Sequence, residues 1–145
     1  MTGIQGYFHF PVFGFNHPSL ALLTTIVYMF TETLVIFFFV GSGYNIKAYI
    51  SEGLADSTLH HQSKLIKRKL YPPTMLNILL VMIVFIIGGA VDTKILPSWL
   101  HGLLFFLVIF HFLIMIKSQN SCFRENMGIM VRIAETYDDH NDSQA

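Results

Sequence analysis

Three long apolar runs, at residues 20–40, 75–91 and 99–116, constrain this chain more than any other feature, because prolines and, apart from Glu32, charges fall outside them. A helix that crosses a bilayer core needs about 20 apolar residues, within a range of about 17–25. The expected fold is an all-α integral membrane protein with three transmembrane helices, at about 19–43, 73–91 and 98–117. Composition agrees: of the 145 residues 53% are hydrophobic and only 12% charged, about half the charge of an ordinary soluble domain.

Zero formal net charge removes any overall attraction to nucleic acid. The single cysteine, Cys122, excludes an intramolecular disulfide, and no Cys/His spacing suggests structural zinc. The first seventeen residues lack Lys and Arg and are rich in Gly, Pro and aromatics. That is unlike a cleavable signal peptide, so the first apolar helix is expected to be retained.

Asn16 or Ser19 can cap the first helix, whose inner end Gly41, Ser42 and Gly43 are expected to loosen. Residues 45–71 are polar and basic, with Ser57 as a cap for a short interfacial helix whose apolar stripe is Leu59, Ile66 and Leu70. Pro72 and Pro73 can start the second crossing but are expected to end any helix arriving from upstream. Asp92, Thr93 and Lys94 stop that run, and Pro97 with Ser98 starts the third. So short a link makes the second and third helices antiparallel neighbours. Gly88, Gly89 and Gly102 share a depth at which backbones can approach closely. Beyond the third run, 120–137 is expected to form an amphipathic interfacial helix with Phe123, Met127, Met130, Ala134 and Tyr137 on its apolar face. The ends are an aromatic segment, with Tyr7, Phe8, Phe10, Phe13 and Phe15, and a polar, acidic tail from Asp138.

Three crossings place Lys47, Lys64, Lys67, Arg68, Lys69, Lys117, Arg124 and Arg132 on one side and only Lys94 on the other. By the positive-inside rule the N-terminus is expected outside and the C-terminus inside, in a bacterial cytoplasmic membrane or an organellar equivalent. A buried re-entrant hairpin made of the second and third runs is disfavoured by their near-spanning lengths.

The residues that draw attention are polar groups inside the apolar runs. Glu32 falls about 18 Å below the outer boundary, His111 about 20 Å and Asn77 about 21 Å, counted along each helix. One polar residue per helix therefore reaches one middle layer, with Tyr28 a turn above Glu32. Intramembrane ionisable groups commonly serve proton relays or ligand and quinone sites, although interhelical hydrogen bonding explains such a layer equally. Nearer the outer surface His17, Asp92 and His101 can meet. His17, His101 and His111 are the candidates for haem b or another metal, with only the outer pair able to supply two histidines from one chain. Lys64, Lys67, Arg68 and Lys69 suit anionic lipid headgroups. The adjacent His60 and His61 point about 100° apart and chelate poorly, and Cys122 could accept an acyl group.

No P-loop, nucleophile elbow or HExxH pair is present. The expected function is that of a small accessory subunit of a larger membrane complex, non-catalytic alone, in contact with the bilayer and with other subunits or a second copy of itself. The alternatives are a haem- or quinone-binding redox or proton-transfer protein using His111 or His101 with Glu32, and a homo-oligomeric channel or transporter.

Overall fold

The computed structural model describes residues 16–142, with side chains as far as Asp138. The aromatic N-terminal segment and the end of the acidic tail lie outside the described residues. Within them the chain forms three helices: α1 (His17–Ser51), α2 (Ser57–Asp92) and α3 (Ser98–Asp142). All three are long and apolar enough to cross a membrane, and the chain itself buries only 11% of the most apolar window of each. The rest of that surface faces outward and suits hydrocarbon, so the chain is membrane-embedded.

Asn16 caps α1 by accepting the Ser19 amide at 3.1 Å. The helix ends in a Schellman turn, in which Leu54 N–H bonds to the Tyr49 carbonyl and Gly53 N–H to that of Ile50. Gly53 adopts a φ of 76° there, a conformation that costs glycine little. The cap of α2 is Asp56 rather than Ser57: its carboxylate accepts the Thr58 amide at 3.1 Å and the Ser57 hydroxyl at 3.2 Å. These bonds hold the Asp56 carboxyl below its usual range. A second Schellman turn closes α2, with Lys94 at a φ of 59° in the place glycine usually takes.

The helices are longer than the sequence suggests, because the segments expected to lie separately at the interface are continuous with the spanning ones. α1 runs through Gly41–Gly43, α2 through Pro72 and Pro73, and α3 through the join near residue 118. The prolines remove two amide donors, from the bonds to the carbonyls of Arg68 and Lys69. Leu70 and Thr74, on either side, are fully buried, and this packing carries the helix across the gap.

The contacts group residues 16–33 and Thr74–Ile114 into one unit, and Leu34–Pro73 with the chain from Met115 into a second. In the second, Phe39 and Ile46 of α1, Ile66 and Leu70 of α2, and Cys122, Ile129 and Ile133 of α3 form the buried core. The expected α3 face is met in part: Phe123 and Met130 pack, partly buried, against the core. Cys122, Asn126, Ile129 and Ile133 point inward, while Met127, Ala134 and Tyr137 are exposed. Adjacent residues lie about 100° apart on a helix, so a polar Asn126 on the true inner face diverts an apolar-stripe reading to its neighbour. On α2 the expected Ile66 and Leu70 are buried, with Leu59 packed against them.

Phe39 sits at the centre of this core, its ring 4.9 Å from that of Phe123 and 5.4 Å from that of Phe38. Truncation of a buried phenylalanine leaves a cavity and costs about 3–5 kcal/mol. Phe39→Ala is therefore expected to lower unfolding stability by that amount in detergent, measured by reversible denaturation, whereas the exposed Phe37→Ala changes it by less than about 0.5 kcal/mol.

Candidate functional site

The first unit holds a polar layer centred on one amide. Asn77 is completely buried, and its Oδ1 accepts the Tyr28 hydroxyl at 2.6 Å. Its Nδ2 donates to His111 Nδ1 at 2.9 Å and, more weakly, to the Val108 carbonyl at 3.4 Å. Because an amide nitrogen only donates, His111 Nδ1 must accept, which leaves the imidazole proton on Nε2. Glu32 is buried on the same face of α1 as Tyr28, one helical turn away, and is not without a partner. The Tyr28 ring also packs edge-on to Phe112, with centroids 6.1 Å apart. Of the four middle-layer residues named from sequence, three thus join in one bonded chain and the fourth lies beside it.

What this layer can do chemically depends on its central member. Tyrosine and histidine exchange protons readily, but the carboxamide between them accepts on oxygen and donates on nitrogen. Moving a proton from Tyr28 to His111 would require the imidic acid tautomer of Asn77. The bonds of this layer join α1, α2 and α3 through Asn77 without a direct proton path from Tyr28 to His111.

A second cluster lies at the start of α1 and α3. The rings of His17 and His101 stand 6.3 Å apart at an interplanar angle of 77°, and both Nδ1 atoms are buried without a partner. Gly88 makes this possible, since a Cβ there would meet His101 Cε1 at 3.1 Å. The glycine therefore makes room for an imidazole, not for the backbone at Gly102, which like Gly89 has open space at its Cβ position. Asp92 is exposed at the end of α2.

The four basic residues assigned to lipid headgroups divide three ways. Lys64 and Arg68 point outward. Lys69 Nζ bonds Glu125 at 2.7 Å and Ser121 at 3.1 Å, an exposed pair that holds the Glu125 carboxyl below its usual range and contributes little to stability. Lys67 turns inward over Gly43, a placement that its basic neighbours in sequence conceal. His60 buries its Nδ1 while His61 is exposed. Cys122 is wholly buried with its thiol against the Ile66 carbonyl, 3.8 Å away, and burial pushes the thiol pKa up. Neither its access nor its reactivity suits acylation.

Among the described residues, no group of three or more His, Cys, Asp or Glu side chains is placed to hold a metal ion. Comparison with protein-family models, curated proteins and solved structures finds no match to this chain.

The Tyr28–Asn77 bond is open to a double-mutant cycle. Tyr28→Phe, Asn77→Ala and the double variant, compared by unfolding in detergent, are expected to give a coupling of about 0.6 kcal/mol and no more than about 1.7. A coupling indistinguishable from zero means that the bond does not help hold the helices.

Proposed function

We propose that this chain is a small integral membrane subunit of a larger membrane assembly, non-catalytic by itself, with its basic segments and C-terminus on the cytoplasmic side. The observation that carries this reading is the position of exposed apolar side chains outside the spanning region. Met127 and Val131 on α3 are 52% and 51% exposed, and Leu65 on α2 is 52% exposed. Met127 lies ten residues past Lys117, or about 15 Å along the helix, and Val131 one turn further. Lipid covers the apolar side chains of the spans but does not reach that far. Large apolar groups held together by helical spacing in an aqueous setting mark an interaction surface.

The middle layer supports the same reading. Asn77 bonds both Tyr28 and His111, and an amide so placed suits assembly of the chain rather than turnover of a substrate. The excess of Lys and Arg on one side supports the orientation.

The test is affinity purification in mild detergent with mass-spectrometric identification of what accompanies the chain in fixed ratio. Replacing Met127 and Val131 together by serine is expected to lower recovery of that partner about tenfold while leaving the helical circular dichroism unchanged. A wild-type chain that purifies alone as a monomer rules the reading out.

The outer histidine pair favours a second reading, in which His17 and His101 hold haem b. Two imidazoles joined in line through one metal, with bonds of about 2.0 Å, bring their ring centres about 6 Å apart. That is close to the separation seen. On this reading the purified protein shows a Soret band that shifts on reduction and disappears in His101→Ala; a colourless preparation from haem-replete cells removes it.

A further inference from the structure

In the second unit polar groups of α2 and α3 come against two neighbouring residues of α1, Ser42 and Gly43. On α1, Ser42 donates to Asn126 Oδ1 of α3 at 2.9 Å, which fixes the amide and leaves Asn126 Nδ2 buried without an acceptor. The next residue, Gly43, has the Lys67 ammonium of α2 where a Cβ would stand, and Ser63 Oγ lies 3.4 Å from the same point. Ser63 is 2% exposed and Asn126 1% exposed, and the Ser63 hydroxyl also lacks a partner. Among the described residues Lys67 makes no ion pair.

Buried donors without acceptors are rare, because each unmade bond costs about 1–3 kcal/mol. Here a hydroxyl and an ammonium meet at Gly43, an unpartnered amide N–H belongs to the side chain bonded to the adjacent Ser42, and among the described residues no ion pair answers the ammonium. Partial burial also holds the Lys67 ammonium below its usual range, a cost that a bound anion would offset. A tetrahedral oxyanion offers several acceptors at once, which suits donors arriving from different helices. A single water could take one or two of these bonds but would leave the charge unanswered.

We propose that Ser63 and Lys67 at Gly43, with Asn126 held by the adjacent Ser42, bind a phosphate group. Two sources share this chemistry, the headgroup of an anionic lipid and free phosphate. Lys67 lies five residues before Pro72, about 8 Å along the helix, and the lipid source rests on the membrane placement given above. The site itself does not depend on which assembly the chain joins.

The experiment uses the full chain purified in mild detergent. Phosphatidylglycerol is added and counted by native mass spectrometry, and inorganic phosphate is titrated separately by calorimetry. Three variants are compared: Lys67→Gln removes the charge, Gly43→Ala keeps every charge but places a methyl where the ammonium lies, and Lys64→Gln removes an exposed charge from the same helix. The proposal predicts one saturable site, weakened about tenfold or more by Lys67→Gln and Gly43→Ala and less than about twofold by Lys64→Gln. Circular dichroism checks folding, and Lys67→Gln carries the test by itself if Gly43→Ala does not fold. Saturation by the lipid but not by phosphate identifies a headgroup site; saturation by phosphate identifies a site for the free ion. The proposal is overturned if neither probe binds saturably, or if Lys64→Gln weakens binding as much as Lys67→Gln does.

Discussion

The buried amide of Asn77 is the interaction on which the arrangement of the spanning segments depends. Apolar side chains gain nothing by leaving lipid for one another, so packing and interhelical hydrogen bonds must choose how helices face each other. Asn77 takes a bond from α1 and gives two to α3. It thereby fixes the rotation of α2 about its own axis. Gly88, eleven residues on and three turns away, shares its face, which is why a missing side chain there can receive the ring of His101.

Within each unit the inward residues recur at spacings of three and four, a seam of Thr74 and Asn77 on α2 with Val108 and His111 on α3 in the first, and of Ser63, Ile66 and Leu70 on α2 with Met115, Gln119, Cys122, Asn126, Ile129 and Ile133 on α3 in the second. This is the spacing of coiled coils, but its chemistry changes along the chain. In the first unit the seam gathers Glu32, Asn77 and His111 while leucines and phenylalanines face outward. In the second its core is largely apolar, with polar groups such as the bonded Ser42 and Asn126 set into it.

That change explains what could and could not be read from the residues. Spans emerge from apolar length alone, and the middle layer from counting depth to Glu32, Asn77 and His111. Which way each of these points is not a property of depth, and only three-dimensional packing joins Tyr28 to Asn77 and Asn77 to His111. Beyond the spans, an apolar stripe is a sound guide where the seam is apolar, as at Ile66 and Leu70. It is met only in part where Cys122 and Asn126 occupy the seam, since Phe123 beside them still packs on the core while Met127 is exposed. The inward turn of Lys67 was hidden for a related reason: in a run of basic residues every charge looks exposed, and the glycine that admits one of them lies on another helix. Continuity through Pro72 and Pro73 was also concealed, since local rules register the two lost amides and not the buried Leu70 and Thr74 that flank them.

Those prolines set a limit on vertical position. A proline pair within a helix leaves the carbonyls four residues earlier, at Arg68 and Lys69, bare of amide donors. Water and headgroups can satisfy such carbonyls, whereas in hydrocarbon each would cost several kcal/mol. Sinking α2 by one turn would carry both bare carbonyls and their cationic side chains into lipid, and raising it by one turn would expose Met75 and Leu76 to water. On the proposed membrane placement, the backbone favours an interfacial level for Arg68 and Lys69, one that the side chains of α2 reinforce.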